Sequence, residues 1–280
     1  MTHAVQQARE ALGGRLRDIR KDAGLTARAI ARAVGWVPSK VSKLERGQQT
    51  PTDSDIRIWC RECGADDQVV DLVASLRNIE AAYLEWRQMS LPHRQRQSIT
   101  WEADTKLMRW YEPFVVPGLL QTPEYAEAIL GRMQDFYRGS RDDLAAGLAA
   151  RIERQQVLYR GDHRFHFVLA EQVLHTTVGD HNVMVGQLDR LLIAMSLPRV
   201  VIGIIPAHTE YTVPLSNFCM FDQKRVLVET ITAELTITQP RELVLYEKTF
   251  QALAKQAAKG DAARRLIRGA LDTRAEQLNR

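Results

Sequence analysis

The chain has 280 residues, 45% of them hydrophobic and 26% charged, with a net charge of +4 at neutral pH. That balance excludes a low-complexity or disordered chain and supplies enough residues for about two domains of ordinary size. Three cysteines exclude a disulfide framework, and no apolar run approaches the ~20 residues of a membrane-spanning helix.

The positive charge is uneven. Residues 1–65 hold 12 of the 38 Lys and Arg but only 7 of the 34 Asp and Glu, so the surplus lies in the N-terminal quarter. A domain that faces phosphates carries its charge this way, although a surplus of this size also occurs on ordinary surfaces. Met1–Glu10 is polar and lacks the apolar core of a secretion signal, so a cytoplasmic protein without a membrane partner is expected.

In chain order, Leu12, Leu16, Ile19 and Ala23 recur at helical spacing, and Gly24 ends that helix. Thr26 is an N-cap for a second helix with Ala27, Ile30, Ala31 and Val34 inward, and Gly35 closes it. A third helix opens at Val37–Pro38, where proline costs no hydrogen bond; it turns Val41 and Leu44 inward and ends at Gly47. Thr52 and Asp55 have capping-box spacing for a fourth helix through Ile56, Trp59, Cys60 and Cys63. Asp66 opens an amphipathic fifth helix to about Arg87.

A short glycine turn between the second and third helices is the helix-turn-helix pattern. Leu16–Leu25, Ile30-Ala31, Gly35 and the run Val41–Gly47 (VSKLERG) resemble the XRE-type, phage-repressor-like helix-turn-helix family over residues 10–75. The resemblance implies that the third helix enters a major groove, with Ser39, Lys40 and Lys43 toward base edges and Ser42 toward phosphate. It also implies phosphate contacts from Arg28 and Arg46 (solvated surface charges are the alternative) and a structural salt bridge between Arg20 and Glu45. Ala27 stands where the family often has glutamine, and Pro38 replaces a common polar reader. Base readout is therefore expected to lean on DNA shape and dimer geometry.

Gln88–Thr100 is polar and basic and is read as a linker. Beyond it, Ala126–Met133, Leu144–Tyr159, Val183–Met195, Glu242–Lys259 and Ala262–Leu278 carry helical patterns. Arg164–Ala170, Val200–Ile205, Phe218–Phe221, Val226–Thr230 and Leu235–Ile237 read as strands. The fold class expected is mainly α with α+β: a five-helix helix-turn-helix bundle (1–87), a linker (88–100) and a mixed α+β domain (101–280).

The second part resembles the ligand- or partner-binding domain of unsettled biochemistry that follows such modules in many actinobacterial regulators. Tyr111–Pro113, Val116–Thr122, Tyr125-Ala126, Ala150-Arg151, Arg154-Gln155, Gly186–Leu191, Phe218 and Val228–Thr230 carry the likeness over about residues 95–270. It implies a transcription factor, often in development or antibiotic control, with a small protein partner often encoded beside it. It transfers no catalytic residue.

The residues leave several readings open. Leu119 and Leu120, within an apolar block, are either core or the wall of a ligand or partner site. Arg151 and Arg154 share a helix face and either clamp a carboxylate or phosphate or form salt bridges. Cys60-x-x-Cys63 suits core packing better than redox chemistry, since a structural zinc site needs four ligands. His163 and His166 make a poor metal pair, and Arg160 and His166 match a ribonuclease-like spacing that chance also produces.

No cofactor and no enzymatic activity are expected. The reading is a sequence-specific regulator that dimerises, binds an inverted-repeat operator on double-stranded DNA, and senses a small molecule or small protein through its C-terminal domain. One rival is an antitoxin-like interaction protein acting mainly through a neighbour-encoded partner. The other is a DNA-targeted enzyme using Glu229 or Glu234.

Overall fold

A computed structural model describes residues 3–78, 83–85, 91–137, 142–212, 216–231 and 233–278. The chain divides into two units. One runs up to Leu84 and takes back Leu235–Val244; the other comprises Glu85–Glu234 and Leu245 onward.

The described residues of the first unit's N-terminal segment form the helices α1 (His3–Asp22), α2 (Ala27–Ala33), α3 (Pro38–Glu45), α4 (Asp53–Glu62) and α5 (Val69–Asn78). Their apolar stripes meet in one core built from Leu12, Leu16, Ile19, Ile30, Val41, Leu44, Ile56, Trp59 and Leu72. The indole N–H of Trp59 donates to the Leu16 carbonyl at 3.0 Å, so the largest core side chain buries no unsatisfied polar atom. Thr26 caps α2 by accepting from Ala29 N–H, and Thr52 and Asp55 exchange both hydrogen bonds of a capping box at the start of α4. α2 ends on Gly35 at φ +69°, with Trp36 N–H donating to Ala31 O at 2.8 Å; only glycine takes this left-handed turn without strain. Ala23, placed inward by periodicity, is exposed. Within this unit Arg241 anchors the returning segment through Asp71 at 2.9 Å and Asp67 at 3.0 Å.

The expected fifth helix to Arg87 stops at Asn78, and Tyr83–Glu85 is a short strand, β1. The expected linker is also corrected. Residues 88–90 lie outside the described residues, and Leu91–Ala103 forms α6, with Pro92 in its first turn where its missing N–H is harmless.

The second unit continues with β2 (Leu107–Glu112), α7 (Pro123–Tyr137), α8 (Asp142–Arg154), β3 (Arg164–Ala170), the single turn α9 (Gln172–His175), α10 (His181–Ala194) and β4 (Val200–Ile205). Then come β5 (Phe218–Phe221) and β6 (Arg225–Glu229). The strand β7 (Ala233–Ile237) and the helix α11 (Pro240–Gln256) span the points where the chain passes between units, and α12 (Gly260–Leu278) ends the described chain.

β3 lies between β2 and β4, parallel to both, with Phe167 paired to Trp110 and to Ile202. On its other side β2 runs antiparallel to β5, which pairs antiparallel with β6. Parallel strands need helical crossovers that cover the sheet, which explains why β3 and β4 read as apolar runs rather than alternations. The core joins Phe167, Leu169 and Ile202 to Leu188 and Leu191 of α10 and Ile267 of α12. The fold is a helical N-terminal part followed by a mixed α+β part.

Candidate functional site

In the first unit, α3 is fixed on α1 by contacts that leave its outer face free. Arg20 forks onto Glu45, Nε to Oε1 at 2.5 Å and Nη2 to Oε2 at 3.1 Å, while Nη1 donates to the Leu25 carbonyl at 2.6 Å. Both side chains of the pair are 10% exposed. Two glycines let the helices touch backbone to backbone. A Cβ on Gly13 would sit 2.4 Å from Leu44 O, and one on Gly47 would sit 2.6 Å from Glu10 N.

Ser39, Lys43 and Arg46 of the α3 segment are exposed, as is Arg28 of α2, and Ser42 is half-buried. Lys40 is engaged differently from its expected base contact. Its ammonium lies 2.7 Å from Asp55 Oδ1 and 4.0 Å from the centre of the Trp36 ring, which ties α3 to α4. Burial works against ionisation of Asp55, but Lys40 and the Thr52 N–H and hydroxyl outweigh it and hold the carboxyl below its usual range.

Cys60 is fully buried and Cys63 caps the end of α4; both are free thiols. Burial, with Cys63 beside it, pushes Cys60 up to about 11, so the nucleophilic thiolate is scarce at neutral pH. Among the described residues no group of three or more His, Cys, Asp or Glu is arranged to hold a metal ion, and no described helix is long and apolar enough to cross a membrane.

In the second unit the block Val116–Thr122 is a tight turn held by buried amides. Gln121 Nε2 donates to Val116 O at 2.7 Å, and Gln155 Nε2 donates to Gly118 O and Gln121 O at 2.9 and 2.8 Å. Gln187 donates to Leu120 O at 2.9 Å and accepts from Thr122 N–H at 2.8 Å. Leu119 and Leu120 are fully buried in the core and do not line the adjacent cavity, contrary to the ligand-wall reading.

That cavity has a volume of about 120 Å³. Arg94, Gln95, Gln121, Arg151 and Arg154 line it with Glu112, Asn217, Glu229 and Glu234, against Trp110, Val115, Ile129, Met133 and Phe218. Arg154 pairs with Glu102 at 2.5 Å, and the buried carboxylate holds its guanidinium above its usual range despite desolvation. Arg94 reaches Glu229 and lies 3.8 Å from Glu234. Those two carboxylates thus share an arginine, which supplies the positive charge that a metal reading of the pair required.

Arg151 is different. Its hydrogen-bond partners are the neutral Gln121 (2.8 Å) and Gln95 (3.4 Å), and it forms no ion pair among the described residues. Burial and the adjacent Arg154 and Arg94 push it down to about 9. Glu112 is the mirror case. Phe114 N–H and Asn217 Nδ2 donate to it at 3.3 and 3.4 Å and the Trp110 side chain also hydrogen-bonds to it, but burial with the Glu229 charge outweighs them and pushes it up to about 8. Sequence reasoning missed Arg94, Gln95 and Glu112 as cavity residues; Glu112 had been read only as part of a family motif.

The Glu112 environment carries a pH prediction. Its folded-state value lies above the ordinary carboxyl value near 4.3, so the folded chain binds the extra proton across that interval. Stability is expected to fall as pH rises from about 4.5 through about 8. Thermal unfolding of Glu112→Gln should show a flatter profile over that window and a higher midpoint at pH 8. An unchanged profile would contradict the assignment.

His163 Nδ1 lies 2.6 Å from the Thr105 carbonyl oxygen, and His166 packs edge-on against Phe250. Burial and the charges of Lys259 and Arg109 push His166 down to about 4, so it is neutral and packed away, while Arg160 is exposed.

Two family models match the chain. Residues 11–73 match a family described as a helix-turn-helix domain, and residues 95–269 match one described as a domain of unknown function, DUF5753. No curated protein matches the chain. A solved structure described as "Structure of TrmBL2, an archaeal chromatin protein, shows a novel mode of DNA binding" aligns at 10% identity over 74% of this chain and 70% of that chain. Its TM-score of 0.34 is too low to carry fold or function across. The chain belongs to the DUF5753 family and carries a helix-turn-helix domain ahead of the family's namesake region.

Proposed function

We propose that this protein is a sequence-specific transcriptional regulator that reads double-stranded DNA with α3. The observation that carries the reading is the outward Ser39–Lys43 face, on a helix-turn-helix domain whose α3 is locked by Arg20–Glu45 and two close-contact glycines. A rigid helix with small polar and basic residues outward suits a major groove. Ser39 and Lys43 contact base edges, while Arg28, Ser42 and Arg46 hold phosphates. Lys40 is assigned to bracing α3 through Asp55 rather than to reading a base.

The regulator acts as a homodimer on an inverted repeat, with half-sites about 10 bp or a multiple apart. The second unit is the receiver of a small-molecule or small-protein signal, and the protein works in the cytoplasm at the nucleoid. Its buried cavity supports a receiving role, since clefts with apolar walls and a few convergent polar groups are the usual form of ligand sites.

Lys43→Ala tests the base contact. Specific binding to the DNA upstream of the protein's own gene should weaken by about 1–3 kcal/mol, with little change on random duplex. Equal loss on both duplexes would move Lys43 to the phosphate contacts and overturn the base-reading assignment.

A further inference from the structure

The cavity in the second unit holds one arginine and one carboxyl group without a direct ion-pair partner among the described residues. Arg151 is 7% exposed, and Glu112 is 4% exposed. Each forms no ion pair among the described residues, although Arg94 and Arg154, in the same cavity, do. Ionising a buried group without a direct partner is costly, which is why Glu112 holds its proton up to about 8, and a ligand of opposite charge would offset that cost at either group.

The two groups also differ in hydrogen-bond sense. Gln95 and Gln121 both turn their carbonyl oxygens toward Arg151, which orients a guanidinium that has donors to spare. At Glu112 both oxygens accept, one from Phe114 N–H and the other from Asn217 Nδ2 at long distances, with the Trp110 side chain as a further partner, which still leaves acceptor capacity on a carboxylate with about four lone-pair sites. Arg151 thus offers cationic donors and Glu112 offers carboxyl acceptors to the same cavity. The same lining includes the apolar side chains of Trp110, Ile129, Met133 and Phe218 alongside the charged ones.

From this pairing of a guanidinium and a carboxyl group that lack direct ion-pair partners we infer that the cavity binds a small zwitterion, an α-amino acid or close aminocarboxylate with an apolar side group. Its carboxylate meets Arg151 in the two-pronged geometry that guanidinium favours, and its ammonium meets Glu112. Inorganic phosphate is disfavoured, because Glu112 and Glu229 face the same space and would repel a dianion. This assignment deepens the receiver role given above to the second unit. Its test uses no DNA, so its failure and the failure of DNA reading are separable.

The experiment is thermal unfolding and calorimetric titration of the full chain at pH 8. The probes are L-leucine, L-methionine, L-phenylalanine and L-tryptophan, with N-acetyl-L-leucine, L-leucinamide and inorganic phosphate beside them. At least one free amino acid should raise Tm, by about 5 °C at 100-fold its dissociation constant. The acetylated and amidated forms each lack one charge and should bind at least tenfold more weakly. Arg151→Gln should keep the fold, with an unliganded Tm at or above that of the parent chain, and lose the ligand-induced shift. Glu112→Gln should lose the preference for the free ammonium, so that the acetylated form binds as well as the free amino acid. Any of three results would overturn the proposal: no shift with any amino acid, phosphate binding as well as the amino acids, or Arg151→Gln lowering the unliganded Tm as a structural arginine would.

Discussion

Arg20→Met is expected to destabilise the first unit by about 3–5 kcal/mol, a large share of what a domain of this size holds in total. The substitution keeps the aliphatic stem but removes the fork that grips both Glu45 oxygens. Glu45 is then a nearly buried carboxylate without a counter-charge, and the Leu25 carbonyl loses its donor at the turn after α1. The damage is not confined to stability. Glu45 is the last residue of α3, so its release also frees the orientation of the helix assigned to DNA. Denaturant unfolding should show a lower midpoint, and operator affinity should fall further than Lys43→Ala alone makes it fall. The double variant Arg20→Met/Glu45→Leu removes both charges and should recover much of the lost stability, because the penalty lies in the orphaned partner. If Arg20→Met unfolds within ~0.5 kcal/mol of the parent chain, the pair does not hold α3 in place.

Gln187→Leu is expected to cost the second unit about 2–4 kcal/mol. Leucine fits the volume but has neither donor nor acceptor. The fully buried Leu120 carbonyl and the half-buried Thr122 N–H would both be left unsatisfied. These groups belong to the Val116–Thr122 block, whose position also depends on Gln155 and Gln121. Gln121 in turn orients Arg151, so loosening the turn reaches the cavity through one hydrogen bond of 2.8 Å. Differential scanning calorimetry should show the second unit's transition moved down. A midpoint unchanged within 1 °C would mean that water or relaxation replaces both bonds.

The first unit was legible because its signals are local. Thr26, Gly35, Pro38 and the Thr52–Asp55 box mark helix ends by backbone chemistry that needs no tertiary context, and the helices begin and end at or next to these residues. β3, β4 and β5 were legible to the residue, since strands buried by crossover helices read as continuous apolar runs. α6 and β2 were not. Leu91–Ala103 has the composition of a linker because it buries Arg94, Gln95 and Glu102, which answer polar groups on other elements rather than an apolar stripe. β2 interrupts its apolar pattern with Arg109, which answers Glu247 and Asp222, and with Glu112, which faces the cavity. Both elements are hidden for one reason: hydrophobic periodicity cannot register a face whose partners are charges. Lys40 shows the same limit at one residue. Family position places it toward DNA, whereas Asp55 and Trp36, 15 residues onward and four back, hold it within the bundle.

The measurement that tests the central claim most directly is fluorescence-anisotropy titration of the full chain on the DNA upstream of its own gene. A scrambled duplex runs in parallel, both at several salt concentrations. A regulator that reads sequence through α3 should bind the upstream DNA about 10³-fold or more tighter than the scrambled duplex. Equal and steeply salt-dependent binding to both would contradict it, leaving the basic first unit with phosphate contacts alone.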